Sequence, residues 1–255
     1  MTTLDLYFET YGADHAGVPP LMLIHGGAGT IGAHWGAAIP VLSQTRRVIG
    51  VELQGHGHTP HTDRPYTFEN SAGDIIALIE KLGVGPVDLG AFSSGGPAAL
   101  HVAQNRPDLI RRLVIASSFC RRDGLLDGFW DGFDDANIAS LPPALRAAYE
   151  EIDPDPDDLT RMFELDVSLM RGFVDVDDDA MRAITCPTLF VSGRTDVVLP
   201  SHTQQMAELV PNAWSLILPA GHGDYLGAVE AGGELGPVGR TFLGVVDAFL
   251  GPDLA

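Results

Sequence analysis

Seven short apolar runs, rich in β-branched and aromatic residues, punctuate the chain: LDLYFETYG, PLMLIHG, RRVIGVEL, VDLGAF, RRLVIASSF, PTLFVSG and AWSLILP. Helix-like stretches lie between several of them. Residues 68 to 82 (FENSAGDIIALIEKL) follow a Thr67 cap and stop before Gly83, and residues 238 to 250 form a closing helix. Strands that alternate with helices predict an α/β fold, a mostly parallel sheet covered by helices on both faces. With 255 residues and 45% apolar content, the chain is long enough for one large domain of this kind. No internal repeat or low-complexity tract interrupts the pattern.

The alternation breaks once, between RRLVIASSF and PTLFVSG. Residues 121 to 180 carry 17 Asp/Glu against 5 Arg, a net of −12, while the rest carries 17 against 10, a net of −7. Stretches such as ALRAAYEEI and LTRMFELDVSLM, joined by Pro-, Gly- and Asp-rich turns, predict several short helices. The expected organisation is a core of residues 1–120 and 181–255 with a helical cap, or lid, at 121–180. Its aromatic and apolar residues Phe129, Trp130, Phe133, Tyr149, Met162, Phe163 and Phe173 are available to face a pocket or to pack the lid itself.

Composition narrows the partners. A net charge of −19 repels phosphates, which excludes nucleic acid and leaves a small molecule as the expected partner. No apolar run approaches the ~18 residues of a membrane span, and the start lacks a basic region followed by an apolar stretch. The expectation is a cytoplasmic protein without a membrane partner; its oligomeric state, monomer or homodimer, is left open. Cys120 and Cys186 are the only cysteines, too few for a disulfide framework and read as core residues.

DLGAFSSGGPA at 88–98 places two serines between a strand ending at Phe92 and a helix beginning near Pro97. That is the strand-turn-helix setting of the nucleophile elbow G-x-S-x-G, in which the residues two before and two after the nucleophile must both be small. Ser93 has Ala91 and Gly95 in those places. Ser94 has Phe92 and Gly96, and Phe92 would clash. Ser93 is the candidate nucleophile and the Ser94 N–H half of an oxyanion hole; the plainer reading makes both serines helix caps.

A serine hydroxyl needs a base and an orienting acid, in the chain order Ser, acid, His at the carboxyl ends of later strands. Asp196 in TLFVSGRTDVVLP and His222 in AWSLILPAGHGDY stand in those places. The glycine-rich turn of LMLIHGGAGT offers Gly27 as the second oxyanion donor and lacks the lysine of a phosphate-binding loop. Ala28, Phe92, Trp130 and Val198 are expected to line the substrate pocket. His56, His58 and His61 invite a metal, but no convergent carboxylate accompanies them in sequence, and no metal or cofactor is expected. The run DVDDD at 175–179 reads as solvated surface or a helix amino terminus.

HGGAGT, VELQGHGHT, AFSSGG, SGRTDVVLP and PAGHGDY together resemble the α/β-hydrolase superfamily from about residue 5 to 250. The resemblance implies an eight-stranded, mostly parallel sheet, a helical cap, a Ser93–His222–Asp196 triad, and oxyanion donors at Gly27 and Ser94. Two departures stand out: Ala91 replaces the usual glycine before the nucleophile, and Asp224 sets a second carboxylate near the base. Asp196 is preferred as the acid because Asp224 leaves the same strand end as His222. A serine at the elbow disfavours the dehalogenase and epoxide-hydrolase chemistries, which use aspartate there. The expected function is a serine hydrolase, carboxylesterase-like, cleaving a small to medium, neutral, hydrophobic ester. C–C bond hydrolase, lactonase, aminopeptidase, perhydrolase and receptor-like binder remain as alternatives.

Overall fold

The computed structural model describes residues 3–251. Each of the seven apolar runs forms one strand: β1 (Phe8–Tyr11), β2 (Leu21–Ile24), β3 (Val48–Val51), β4 (Val87–Phe92), β5 (Ile110–Ala116), β6 (Thr188–Gly193) and β7 (Ala213–Leu218). They make one sheet in the order β1-β3-β2-β4-β5-β6-β7, with β1 antiparallel to β3 and every other pairing parallel. The expected eighth strand is absent among the described residues. That number came from the family resemblance, whereas the apolar runs themselves number seven. The α/β class, mostly parallel, stands as read.

Burial explains why the runs lack a period-two alternation. Every residue of β2, β3, β4 and β6 is buried, because helices cover both faces of a parallel sheet. On one face, Ile75 and Leu78 of α3 (Phe68–Leu82) and Ala99, Leu100 and Val102 of α4 (Gly95–Asn105) pack on the sheet. On the other lie Ile31 and Trp35 of α1 (Ile31–Trp35), Ile39 and Leu42 of α2 (Ile39–Leu42), and Phe242, Leu243 and Val246 of α9 (Pro237–Phe249). Thr67 caps α3 by accepting from the Asn70 N–H at 3.1 Å, and Gly83 ends it at φ 61°, as expected from sequence. Edge strand β7 is the exception, with Trp214 54% exposed.

At the amino end of β4, Asp88 is fully buried and accepts from Arg46 and Arg111. Arg111 also donates to the Leu250 and Gly251 carbonyls, which ties the chain's last described turn to the sheet. This ionic cluster sits at the end of the sheet opposite the elbow.

After β5 the chain leaves the sheet and runs through short 3-10 turns, then α5 (Pro143–Glu150), α6 (Pro156–Arg171) and α7 (Asp178–Arg182), before β6. Helix α8 (Pro200–Leu209) follows β6. The segment's packing divides. Leu141, Leu145, Tyr149, Leu159 and Met162 form a small cluster of their own on Ala33 of α1, whereas Leu169, Met170, Phe173, Val176 and Met181 join the main core. Two-thirds of the way along α6, the segment stops being a separate layer.

Candidate active site

The turn from β4 into α4 is as tight as the small-residue rule requires. Ser93 sits at φ 51°, a left-handed conformation that non-glycine residues seldom adopt and that costs about 1–3 kcal/mol. A Cβ on Gly95 would come within 2.3 Å of the His25 carbonyl oxygen, and one on Gly26 within 2.8 Å of the Ser93 Cβ. Neither serine acts as a side-chain cap: Ser94 is the N-cap of α4 and makes no side-chain capping bond. Strain at Ser93 aims its Oγ outward from the sheet's carboxyl end.

His222 and Asp196 meet it there. His222 Nε2 lies 3.1 Å from Ser93 Oγ, and its Nδ1 lies 2.7 Å from Asp196 Oδ1. Asp196 is 3% exposed and also accepts from the N–H groups of Gly193 (3.1 Å) and Val198 (3.2 Å). Its Oδ2 takes a further, very short hydrogen bond from the Ser117 hydroxyl. Burial works against its ionisation, yet the His222 ring, the Ser117 hydroxyl and the Gly193 N–H together hold the carboxyl below its ordinary value. Asp224 stands apart, its Oδ2 accepting from the Gly221 N–H at 2.6 Å.

A cavity of about 440 Å³ opens above these groups. Ser93, Ser94, His222, Gly27, Ala28 and Val198 border it from the core, and Phe129, Phe133, Phe163 and Met170 from the 121–180 segment. Two residues expected there lie elsewhere. Phe92 is 1% exposed, within the core cluster that α9 covers, because its side chain leaves β4 on that face; its ring packs 4.8 Å from the His222 ring and 4.9 Å from His34. Trp130 stacks on Phe173, with the Arg122 guanidinium 4.3 Å over its ring and its Nε1–H donating to the Arg122 carbonyl. Trp130 is a packing residue, as are Tyr149, Met162 and Phe173, which are all buried in hydrophobic clusters.

The histidines around the glycine-rich turn after β2 are held by backbone and side-chain partners. His25 Nδ1 donates to the Gly26 carbonyl while Nε2 accepts from the Leu53 N–H, a pattern only the neutral ring satisfies; burial pushes its pKa well down. His34 Nδ1 accepts from the Gly26 N–H, and its Nε2 faces Glu230 at 3.4 Å. His56, His58 and His61 do not converge: each faces a different carboxylate, Asp166, Glu52 and Asp158 respectively. Among the described residues no group of three or more His, Cys, Asp and Glu is arranged to hold a metal ion, and no helix is long and apolar enough to cross a membrane. Cys120 and Cys186 are buried, and burial pushes the Cys120 thiol up to about 12.

The profile of a family described as the alpha/beta hydrolase fold matches residues 19–157, more than half of the chain. The chain belongs to that family. Among relatives of this α/β hydrolase, the candidate carbamate hydrolase RutD of Caulobacter sp. (strain K31) is 28% identical over 253 residues, covering 89% of this chain and 92% of its own. The 2-hydroxymuconate semialdehyde hydrolase of Pseudomonas sp. (strain CF600) is 29% identical over 72% of each chain. In fold, the hydrolase resembles the enol-lactonase of Burkholderia xenovorans LB400, with a TM-score of 0.74 at 22% identity over 96% of each chain.

Sequence reasoning missed three members of this hydrolase's site. Ser117, at φ 48°, holds Asp196 and in turn meets the Tyr225 hydroxyl at 2.6 Å; a polar pair ending the apolar run of β5 was its signal. Glu230 behind His34 carries none that the sequence exposes. Asp166 does: Leu159, Met162, Asp166 and Leu169 share the apolar stripe of α6 at helical spacing, so an acid stands where a core residue belongs.

Proposed function

We propose that the protein is a serine hydrolase that cleaves a small to medium, neutral, hydrophobic ester through an acyl-enzyme. The observation that carries this reading is the continuous hydrogen-bonded chain Asp196–His222–Ser93, which ends at a serine bordering an apolar cavity. With Nδ1–H donated to Asp196, His222 Nε2 is free to accept the Ser93 proton as Oγ attacks the ester carbonyl. The N–H groups of Gly27 and Ser94 hold the oxyanion, the C–O bond breaks, and the leaving alcohol takes its proton from His222. Water, deprotonated by the same nitrogen, then releases the acid and restores Ser93.

The lining supports the substrate class. A volume of about 440 Å³ lies at the lower end of the range typical of small-molecule pockets, ~300–1,000 Å³. Of the lining residues only His222 and Asp166 are ionisable, so a neutral, apolar acyl group pays least in desolvation. Residues 121–180 act as the lid. The relatives named a carbamate hydrolase and a semialdehyde hydrolase agree with a hydrolytic reaction. Turnover of a panel of nitrophenyl and ethyl esters tests the proposal. Several turnovers per second on a short-chain neutral ester, lost in Ser93→Ala, is the expected result; saturable binding with no turnover on any ester would make the protein a binder instead.

A further inference from the structure

A second hollow lies against the first. Beside the cavity of about 440 Å³ above Ser93, a groove of about 540 Å³ runs along α6, bordered on its other side by Asn137 and Ile138. Three residues, Ala136, Phe163 and Val167, line both spaces and form the wall they share. The helix period explains that wall. On α6 the groove takes Thr160, Phe163, Glu164, Val167, Ser168 and Arg171, and the cavity takes Phe163, Asp166, Val167 and Met170. Each set has the three- and four-residue spacing of one helix face, and the two faces overlap only at Phe163 and Val167.

The frame around the wall is pinned at the backbone. The Arg171 guanidinium donates to the Phe133 carbonyl at 2.9 Å and to the Asp134 carbonyl at 2.6 Å, and Arg146 of α5 donates to the Ile138 carbonyl at 2.7 Å. Ala136 lies between those anchors, and its single methyl fills little of the wall. Phe163 supplies the bulk: it is partly buried and packs against the cluster that contains Leu145, Leu159 and Met162. Beyond it the groove opens to solvent past the exposed Glu164 and Ser168, while Ile138, Phe163 and Val167 give its floor an apolar strip.

We infer that Phe163 is a specificity-determining residue that sets the limit on acyl-chain length, and that the groove behind it is a second subsite for the far end of a longer chain. The inference rests on the ester-hydrolase reading, which seats an acyl group in the apolar cavity. A chain short enough for that cavity stops at the Phe163 ring. A longer one reaches the apolar strip of the groove only where the wall is thinned, and each methylene buried there strengthens binding roughly fourfold.

Nitrophenyl butanoate, octanoate and dodecanoate, each kept below micelle-forming concentration, provide the test. In wild type, kcat/KM should fall from octanoate to dodecanoate. Phe163→Ala should raise the dodecanoate-to-butanoate ratio by ~10–100-fold, and Val167→Ala, which thins the same wall, should raise it less. Ser168 borders the groove and not the cavity, so Ser168→Trp added to Phe163→Ala should return the ratio to its wild-type value. A ratio that stays raised in that double variant would put the new room in the cavity itself and overturn the inference. So would a wild type indifferent to the longest chain, or a Phe163→Ala variant that changes all three esters by one common factor. Calorimetric binding of the same esters to Ser93→Ala, with and without Phe163→Ala, separates the two readings. Tighter dodecanoate binding in the double variant without wild-type turnover of any ester sinks the ester-hydrolase reading and keeps the inference; turnover with an unmoved ratio does the reverse.

Discussion

The sheet and the 121–180 segment meet at one cavity and are built on different physics. The sheet holds its side of the site rigidly: Ser93 and Asp196 follow the fully buried strands β4 and β6, His222 follows the edge strand β7, and close backbone approaches fix the turns at Gly95 and Gly193. The segment contributes side chains from short helices, half of them packed in a satellite cluster around Tyr149 and Met162. Beyond the residues from Leu169 to Met181 that join the main core, it is tied down by polar contacts. Asp166 reaches Ala28 and His56, and Asp158 of the same helix lies 3.2 Å from His61. On the proposed function, the chemistry falls to the strand ends, and substrate choice to side chains of the satellite layer.

Breaking the rigid half should have the largest effect. Ser93→Ala should lower kcat/KM by ~10⁴–10⁶, whereas Ser94→Ala should do little, because only its N–H is used and alanine retains that. Steady-state kinetics on one neutral ester decides it, and a dead Ser94→Ala beside a live Ser93→Ala would shift the elbow by one residue. Next in size, Asp196→Asn should cost ~10²–10⁴ in turnover by leaving His222 in the wrong tautomer, while Asp224→Asn, which disturbs only the Gly221 N–H, should cost less than about tenfold.

Stability sharpens the same contrast. Leu89→Ala, in the fully buried centre of β4, should destabilise the fold by about 2–5 kcal/mol in denaturant titration. Tyr149→Phe removes only the 2.6 Å bond to Asp158 in the segment and should cost about 0.5–1.5 kcal/mol. Equal losses would mean the two regions are not energetically distinct.

The polar tie responds to pH. Burial alone would lower the His56 pKa, but the Asp166 charge and hydrogen bond, the Gln54 carbonyl and Glu52 outweigh it and raise the value above the ordinary one, with the rings of His25 and Tyr66 packed alongside. A pKa raised on folding contributes stability that is fully present below the unfolded value, about 6.5, and lost as pH rises through the folded value. The Tm difference between wild type and Asp166→Asn should therefore be widest below that pH and narrow above it; a gap that widens with pH would contradict the pairing.

Smallest is the effect of the segment's charge. Its net of −12 should depress kcat/KM for an ester with a sulfonated leaving group relative to a neutral one at low salt. Near 0.15 M, where the Debye length is about 8 Å, the gap should narrow. A ratio that stays flat with salt would place the acidic surface away from the substrate's entry.

The same contrast governs what the sequence discloses. β-Strands buried on both faces leave continuous apolar runs, and each such run is a strand here; the elbow leaves its small residues, and Asp196 and His222 stand just past strand ends. Those signals are local. Phe92 and Trp130 are expected in the pocket from sequence, but which face a side chain leaves by depends on what packs there, α9 for Phe92 and Phe173 for Trp130. Glu230 reaches His34 from nearly two hundred residues away, and Asp166 reaches Ala28 across 138, contacts that no local pattern encodes. Only the misplaced polarity of Asp166 in an apolar stripe betrays it.

Covalent capture at the serine tests the central claim most directly. The protein is treated with an alkyl fluorophosphonate, which forms a stable adduct with an activated serine, and the site is read by peptide mass spectrometry. The account predicts one stoichiometric adduct on the peptide containing Ser93, strongly slowed in His222→Ala and absent in Ser93→Ala. An adduct that persists in Ser93→Ala, or no adduct on a folded wild-type protein, would contradict it.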